Sequence, residues 1–269
     1  MDVYKRLQEI RSTAKGGQNF SFSKEECDKF WELYTNNLSI RKIAKAMNCK
    51  PGKIQAIERR LKLPKVIYFQ SQKELILTEE EEAVIIGSLL GDGHITKSTK
   101  NRVNGRFTFS HCEWQKDYCL HKKNYLNRLK SGELTWYNCI IKSTGSINPT
   151  ITFTTFCHPK FNEIRNIFYP NGKKIIPIDY IRDKYTAQSL AMHYLDDGHK
   201  RTGSKRSRMI CTDSFPPDNL QEYCDFIIEK FGINVFIIDK NRVRIDYRDS
   251  EKFVNLIAPY VPECMKYKL

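Results

Sequence analysis

The run Ile85-Ile86-Gly87-Ser88-Leu89-Leu90-Gly91-Asp92-Gly93 has a counterpart further along the chain, Leu190-Ala191-Met192-His193-Tyr194-Leu195-Asp196-Asp197-Gly198, and both end an apolar helix on Asp-Gly. A carboxylate at a helix C-terminus meets the negative end of the macrodipole, which disfavours it by up to about 1 kcal/mol. Placing it there twice signals a use. Gly87 and Gly91 stand one turn apart and leave a groove on one helix face, through which a partner helix can approach closely. The second motif helix is the expected partner. Packed side by side, the two helices would bring Asp92 and Asp197 together at one end, where like charges beside two negative helix ends need cations to stay ionised. Mg²⁺ suits that need, because hard divalent ions prefer carboxylate, carbonyl and water oxygens. Paired metals can also activate the attacking water and stabilise the leaving oxygen of a phosphodiester.

Outward from the motifs, Thr78-Glu79-Glu80-Glu81-Glu82 opens the first helix, with Thr78 as cap and Glu81 completing a capping box. The acidic run is therefore read as structural. From there the chain repeats one pattern, helix, two strands, helix, two strands, helix, over 78–170 and again over 184–262. Apolar and polar residues alternate in Arg106-Phe107-Thr108-Phe109-Ser110, Thr150-Ile151-Thr152-Phe153-Thr154 and Arg242-Val243-Arg244-Ile245-Asp246-Tyr247. Each sheet should have one dry face packed on helices and one polar face. That polar face is expected to carry Arg106, Thr108, Lys142, Thr152, Arg208, Arg242 and Arg244, residue types that bond base edges or phosphates.

Residues 1–20 show no apolar periodicity and read as a lead or frayed helix without a clear function. Across 21–63 the pattern is a trihelical core: Phe30, Trp31, Leu33 and Tyr34, then Ile40, Ile43, Ala44 and Met47, then Ile54, Ile57 and Leu61. Only Asn48-Cys49-Lys50 separates the second helix from Pro51, a residue suited to a first helical position. The segment resembles a helix-turn-helix domain, which would set Lys50, Lys53, Arg59 and Arg60 near DNA. A linker over 64–77 then leads to a first repeat, 78–183, and a second, 184–269.

Lys plus Arg outnumber Asp plus Glu by 45 to 31, a net charge of +14 that suits a polyanionic partner. Residues 1–70 hold fifteen basic and seven acidic side chains, so +8 of that total lies in this part of the chain. Nine cysteines without a Cys-x-x-Cys pair argue for reduced thiols in an intracellular protein. No apolar run is long enough for a bilayer span, so no membrane partner is expected. A bacterial or phage-host cytoplasm and an organelle matrix both fit.

The two nonapeptides, their duplication and the intervening strands resemble the LAGLIDADG homing endonucleases in their single-chain, two-repeat form, over about residues 78–269. The resemblance implies an α+β fold of two pseudo-symmetric αββαββα repeats with DNA-facing antiparallel sheets, here behind a small all-α domain. It implies site-specific, metal-dependent cleavage of both strands of a long duplex by a monomer, leaving 3′ overhangs. The final acid of each motif would bind metal, here Asp92 and Asp197, helped by the backbone carbonyls of Gly91 and Asp196, with two or more Mg²⁺ ions per active complex. One basic residue per site would come from the segment after each repeat's last helix. Lys174 and Lys268 are the choices, with Lys173 and Lys266 as their nearest rivals. Met192, His193 and Leu90 depart from the family pattern and imply a less intimate helix interface. His94 and His199 remain candidates to touch phosphate or water, and His193 reads as a packed interface residue. Two other readings stay open: a non-cleaving regulator that pairs this core with a helix-turn-helix domain, and a maturase that binds its own intron RNA.

Overall fold

The chain folds as two units, Met1–Glu74 and Leu75–Leu269, and the computed structural model describes residues 2–13, 22–35, 38–61, 74–96, 104–140, 145–200 and 207–269. In the first unit, α1 (Val3–Thr13), α2 (Lys24–Thr35), α3 (Ile40–Ala46) and α4 (Pro51–Arg60) surround Cys27, Phe30, Ile43, Ile54 and Ile57. Ser23 and Glu26 close a reciprocal cap at the start of α2, Glu26 Oε2 accepting from the Ser23 amide and Ser23 Oγ from the Glu26 amide. The lead segment is not a bystander: it forms α1, and Val3 is 1% exposed within this core. Between α3 and α4 the chain turns through Asn48, whose φ of 49° is a left-handed conformation that asparagine tolerates, and Pro51 then opens α4. Of the expected linker over 64–77, residues 64–73 lie outside the described residues.

In the second unit, α5 (Glu79–Leu90) starts on the anticipated capping box of Thr78 and Glu81, and Arg128 forks onto the Glu81 carboxylate at 3.0 and 2.5 Å. There follow β1 (His94–Ile95), β2 (Phe107–Cys112), α6 (Lys116–Tyr125), β3 (Thr135–Ile140), β4 (Ile147–Thr154) and α7 (Pro159–Phe168). After the short α8 (Ile178–Ile181) the pattern recurs as α9 (Ala187–Asp197), β5 (Gly198–Lys200), β6 (Arg208–Ile210), α10 (Pro217–Phe231), β7 (Val235–Ile238), β8 (Arg242–Ile245) and α11 (Ser250–Ile257). The two antiparallel sheets share one strand order, β1-β2-β4-β3 and β5-β6-β8-β7. Equal order in two successive copies is the expected pseudo-symmetry.

Alternation decides the faces of each sheet. Phe107, Phe109, Ile151 and Phe153 lie in the core, whereas Ser110 and Thr152 face each other across β2 and β4 on the other side and share a 2.7 Å hydroxyl contact. In the second sheet Val243 and Ile245 point inward and Arg242 and Arg244 outward. One expectation fails here. Arg208 pairs with Ile245 and lies on the same face as Ile210, so it turns toward the core, 6% exposed, where its guanidinium binds Ser250 Oγ and the Leu269 carbonyl. The strand of three residues was too short for its phase to be read from alternation.

Buried on nearly every side beyond the first turn of α5, α5 and α9 form the centre of the unit. A Cβ on Gly87 would lie 2.3 Å from the Ser189 carbonyl oxygen and 2.7 Å from Met192 Cβ, and one on Gly91 would lie 2.4 Å from Asp196 Cβ. The interface is therefore close, with Met192 packed on Gly87 without spreading the helices, while His193 turns to Tyr223 on α10. Because backbone rather than a flexible side-chain tip blocks the space, Gly87→Ala is expected to cost about 1–3 kcal/mol of unfolding free energy. Urea denaturation would measure it against Gly132→Ala, where the added methyl meets nothing within 4 Å. Equal stability of the two variants would contradict this packing.

Candidate active site at the ends of the paired helices

Gly91 caps α5 and Asp92 follows just beyond the helix, while Asp197 is the last residue of α9, so the pairing of α5 with α9 brings both motif ends together. Joining them is Asp196, whose carboxylate Oδ2 accepts from the Asp92 amide at 3.3 Å. The two ammonium groups expected near these ends are both there. Lys174 Nζ donates to the carbonyls of Gly91 (2.9 Å) and Gly93 (3.1 Å), and Lys268 Nζ to those of Leu195 (2.6 Å) and Asp196 (3.2 Å). Each lysine thus rests on carbonyl groups a helix end leaves unpaired, where a cation is favoured. Lys173 is exposed, and Lys266 pairs with Glu263 at 2.5 Å.

The acids are unequal. Burial first, then the Asp196 charge, pushes the Asp92 carboxyl up to about 6 against the pull of Lys122, Lys268 and Lys174. For Asp197, burial followed by the charges of Asp92 and Asp196 raises the carboxyl to about 7. Asp196 goes the other way: burial opposes its ionisation, but the Lys122 ammonium and the Tyr118 hydroxyl outweigh it and hold the group below its ordinary value. Burial lowers the Lys174 and Lys268 ammonium groups, a tendency the surrounding carboxylates resist.

A buried set of side chains that the sequence reading passed over completes the floor. Lys122 on α6 reaches both Asp196 carboxylate oxygens at 3.0 and 2.9 Å, and Tyr118, one turn earlier, donates to Oδ1 at 2.7 Å. His111 at the inner face of β2 lies 3.5 Å from Asp92 Oδ2 through Nδ1 and 3.4 Å from Lys122 Nζ through Nε2. Ligand atoms of Asp92, His111 and Asp196 all lie within 4.8 Å of one another. A signal existed in the sequence: His111 continues the inward series of Phe107 and Phe109, and Lys122 follows the core residue Tyr118 by four. Both put a polar group where the period calls for an apolar one.

Of the residues expected on DNA, Ser110's neighbour Thr152 and the arginines Arg242 and Arg244 lie on outward faces. Arg242 Nε is held by Asp213 at 3.2 Å, and Arg244 lies 4.5 Å from the centre of the Phe236 ring. Thr108, on the outward face, is only 7% exposed, and its hydroxyl and Arg106 Nε lack hydrogen-bond partners among the described residues. Lys142 falls outside the described residues. In the first unit Lys50 and Arg59 are exposed, Arg60 is half-buried and Lys53 lies 3.9 Å above the Phe22 ring. His193 is a buried packing residue, with Nδ1 3.0 Å from the Tyr223 hydroxyl, and His199 Nδ1 lies 3.8 Å from Cys211 Sγ.

Because the folded carboxyls of Asp92 and Asp197 are raised, the native protein holds their protons more tightly than the unfolded chain does. Their contribution to stability is full below the ordinary carboxylate range, about 4, and is lost as pH rises toward 6 to 7. Asp196, being lowered, loses its contribution only at pH below that range. Burial holds the His111 and His193 imidazoles down to about 3, which opposes this slope over the same range, so the carboxyl contribution is read as a difference: without metal, the melting temperature of Asp197→Asn relative to wild type is expected to increase between about pH 4 and 7, and Mg²⁺ added at pH 7.5 to raise the wild-type value. A difference between variant and wild type that stays constant over this range, with a wild type indifferent to Mg²⁺, would contradict the charge balance described.

A family model described as the LAGLIDADG DNA endonuclease family matches residues 82–253. Among curated proteins the chain is similar to "Probable intron-encoded endonuclease 1" of Wickerhamomyces canadensis, 30% identical over 203 residues that cover 72% of this chain and 85% of that protein. It is also similar to "DNA endonuclease I-ChuI" of Chlamydomonas applanata, 27% identical over 211 residues, 72% of this chain and 95% of that one. Among solved structures, the homing endonuclease I-WcaI bound to its DNA recognition sequence superposes with a TM-score of 0.67 at 27% identity, covering 77% of this chain and 93% of that chain.

Proposed function

The chain belongs to the LAGLIDADG DNA endonuclease family, and from that premise we propose that it acts as a site-specific homing endonuclease that breaks both strands of a long duplex target, working as a monomer because one chain carries both motif helices. The observation that carries this reading is the close pairing of α5 and α9 across Gly87 and Gly91, which sets two acid-bearing helix ends side by side. A centre of two acids suits two scissile phosphates. Both acids are present, which favours cleavage over a binding-only regulator.

The residues fit a hard divalent ion. Carboxylates of Asp92 and Asp197 with the carbonyls of Gly91 and Asp196 make an all-oxygen donor set, and the raised carboxyls mark a deficit of positive charge. Mg²⁺, when bound, would activate a water and offset charge on the leaving oxygen. Lys174 and Lys268 would move from their resting carbonyls to the phosphate oxygens, where charge develops during cleavage. Thr152, Arg242 and Arg244 on the outward sheet faces would read base edges in the major groove, Arg242 after leaving Asp213. The basic first unit would extend the footprint through Lys50, Lys53, Arg59 and Arg60.

Incubating the protein with a randomised duplex library and Mg²⁺, then sequencing the ends formed, tests this reading. Defined double-strand ends at a common sequence are expected, and they also give the target site. Selective retention of sequences that stay uncut would replace the endonuclease by a DNA-binding regulator.

A further inference from the structure

The two motif ends are chemically unequal, and the inequality comes from the sheets beneath them. In the first sheet His94 pairs with Thr108, and in the second His199 pairs with Met209. Counting on from those pairs in equal register, His111 on β2 corresponds to Thr212, which follows β6. Thr212 is spent elsewhere: its hydroxyl donates to the Asn241 carbonyl. His111 instead bridges Asp92 and Lys122.

The direction of that bridge follows from an inventory of donors. An ammonium has three protons and no lone pair. Lys122 Nζ directs two at the Asp196 oxygens, at 3.0 and 2.9 Å, and beyond them its nearest nitrogen or oxygen acceptor is His111 Nε2 at 3.4 Å, with the Phe109 ring centre 4.4 Å away. Facing an ammonium at 3.4 Å, with Asp196 Oδ1 further off at 3.8 Å, Nε2 takes the accepting role in this assignment, which puts the proton on Nδ1, the nitrogen 3.5 Å from Asp92 Oδ2. Lys122 cannot turn away, since its side chain and that of Asp196 are both 0% exposed and locked to each other. A sequence of contacts results: Asp196 holds Lys122, Lys122 faces His111 Nε2, and His111 turns Nδ1 toward one oxygen of Asp92, 3.5 Å away.

We propose that His111 is a positioning residue for Asp92 alone, so that the two cleavage centres depend on different supports and one strand's cleavage requires His111 while the other's does not. This rests on the endonuclease reading above. A carboxylate that an N–H draws by one oxygen presents its other oxygen in a defined direction, which is how outer partners tune a ligand, and the 3.5 Å separation here closes to such a contact on loading. At the Asp197 end, Thr212 leaves the carboxylate to find its orientation from α9 itself.

The test uses a supercoiled plasmid carrying the site recovered from the library, with each strand labelled at its own end. Wild type should convert supercoiled plasmid to linear product. His111→Ala should accumulate nicked circles, with one strand's cleavage slowed about 10- to 100-fold and the other's rate unchanged. His111→Asn, whose amide nitrogen takes the place of Nδ1, should restore the slowed strand in large part. Equal slowing of both strands by both variants overturns the proposal while leaving the endonuclease standing, whereas a wild type that leaves the plasmid intact overturns the endonuclease reading instead. A second arm needs no cleavage: ¹⁵N-histidine spectra of the intact protein should place the His111 proton on Nδ1, moving to Nε2 or to exchange between both in Lys122→Met. A proton on Nε2 in the wild type overturns the proposal by itself.

Discussion

Asp197→Asn is expected to abolish double-strand cleavage, slowing cut formation at its own centre by roughly 10³-fold, equivalent to about 4 kcal/mol of transition-state stabilisation. The amide keeps the shape of the side chain and removes the charge that a hard divalent ion requires. Asp92→Asn should do the same at the other centre, and each single variant should leave a nick in a different strand. Binding should survive, because the outward faces that carry Thr152, Arg242 and Arg244 are untouched. Neither variant should lose stability above pH 7 without metal: both carboxyls are raised, to about 6 and about 7, so ionised acids there oppose folding. Gel-shift, strand-resolved cleavage and melting measurements together check this. Full cleavage by either variant would remove that residue from the reaction, and loss of binding along with cutting would point to a folding defect instead.

The second large effect is on stability. Lys122→Met leaves the Asp196 carboxylate without its cation at 0% side-chain exposure, and breaking a buried ion pair from one side costs about 3–5 kcal/mol. Tyr118 at 2.7 Å and the Asp92 amide at 3.3 Å would still donate to Asp196, which holds the expected loss toward the lower end of that range. Adding Asp196→Asn in the same chain should recover much of it, since the uncompensated charge is then gone. Urea denaturation of the two single variants and the double variant gives the coupling between the residues. A loss below about 1 kcal/mol for Lys122→Met would mean that water reaches Asp196.

Those two predictions draw on residues that differ in how visible they were. Asp92 and Asp197 stood out because an acid at a helix C-terminus contradicts local preference, and Gly87 and Gly91 because a helix interior disfavours glycine. Lys174 and Lys268 were picked from short segments through a family resemblance, and the structure brings both to the carbonyls of the motif ends. Lys122 and His111 were missed. Taken singly, a lysine on a helix and a histidine on a strand look like surface residues, and their meaning appears only where α6, β2 and α9 meet. The resemblance points to Asp196 for its backbone carbonyl, yet its carboxylate does the joining. Arg208 was assigned to the wrong face because β6 has three residues and no alternation long enough to fix its phase.

The sequence by itself determined the order of elements, the duplication, the helix cap at Thr78, and the polar and apolar faces of the longer strands. All of these depend on residues within a few positions of one another, so local periodicity and capping chemistry suffice to fix them. Only the tertiary structure decided which charged groups are buried together. Asp196 meets Lys122 across 74 positions and Lys174 meets Gly91 across 83, and such pairings follow from how helices and sheets close over a shared core. Burial then sets the chemistry, because the same carboxyl is raised when like charges surround it and lowered when an ammonium is held against it.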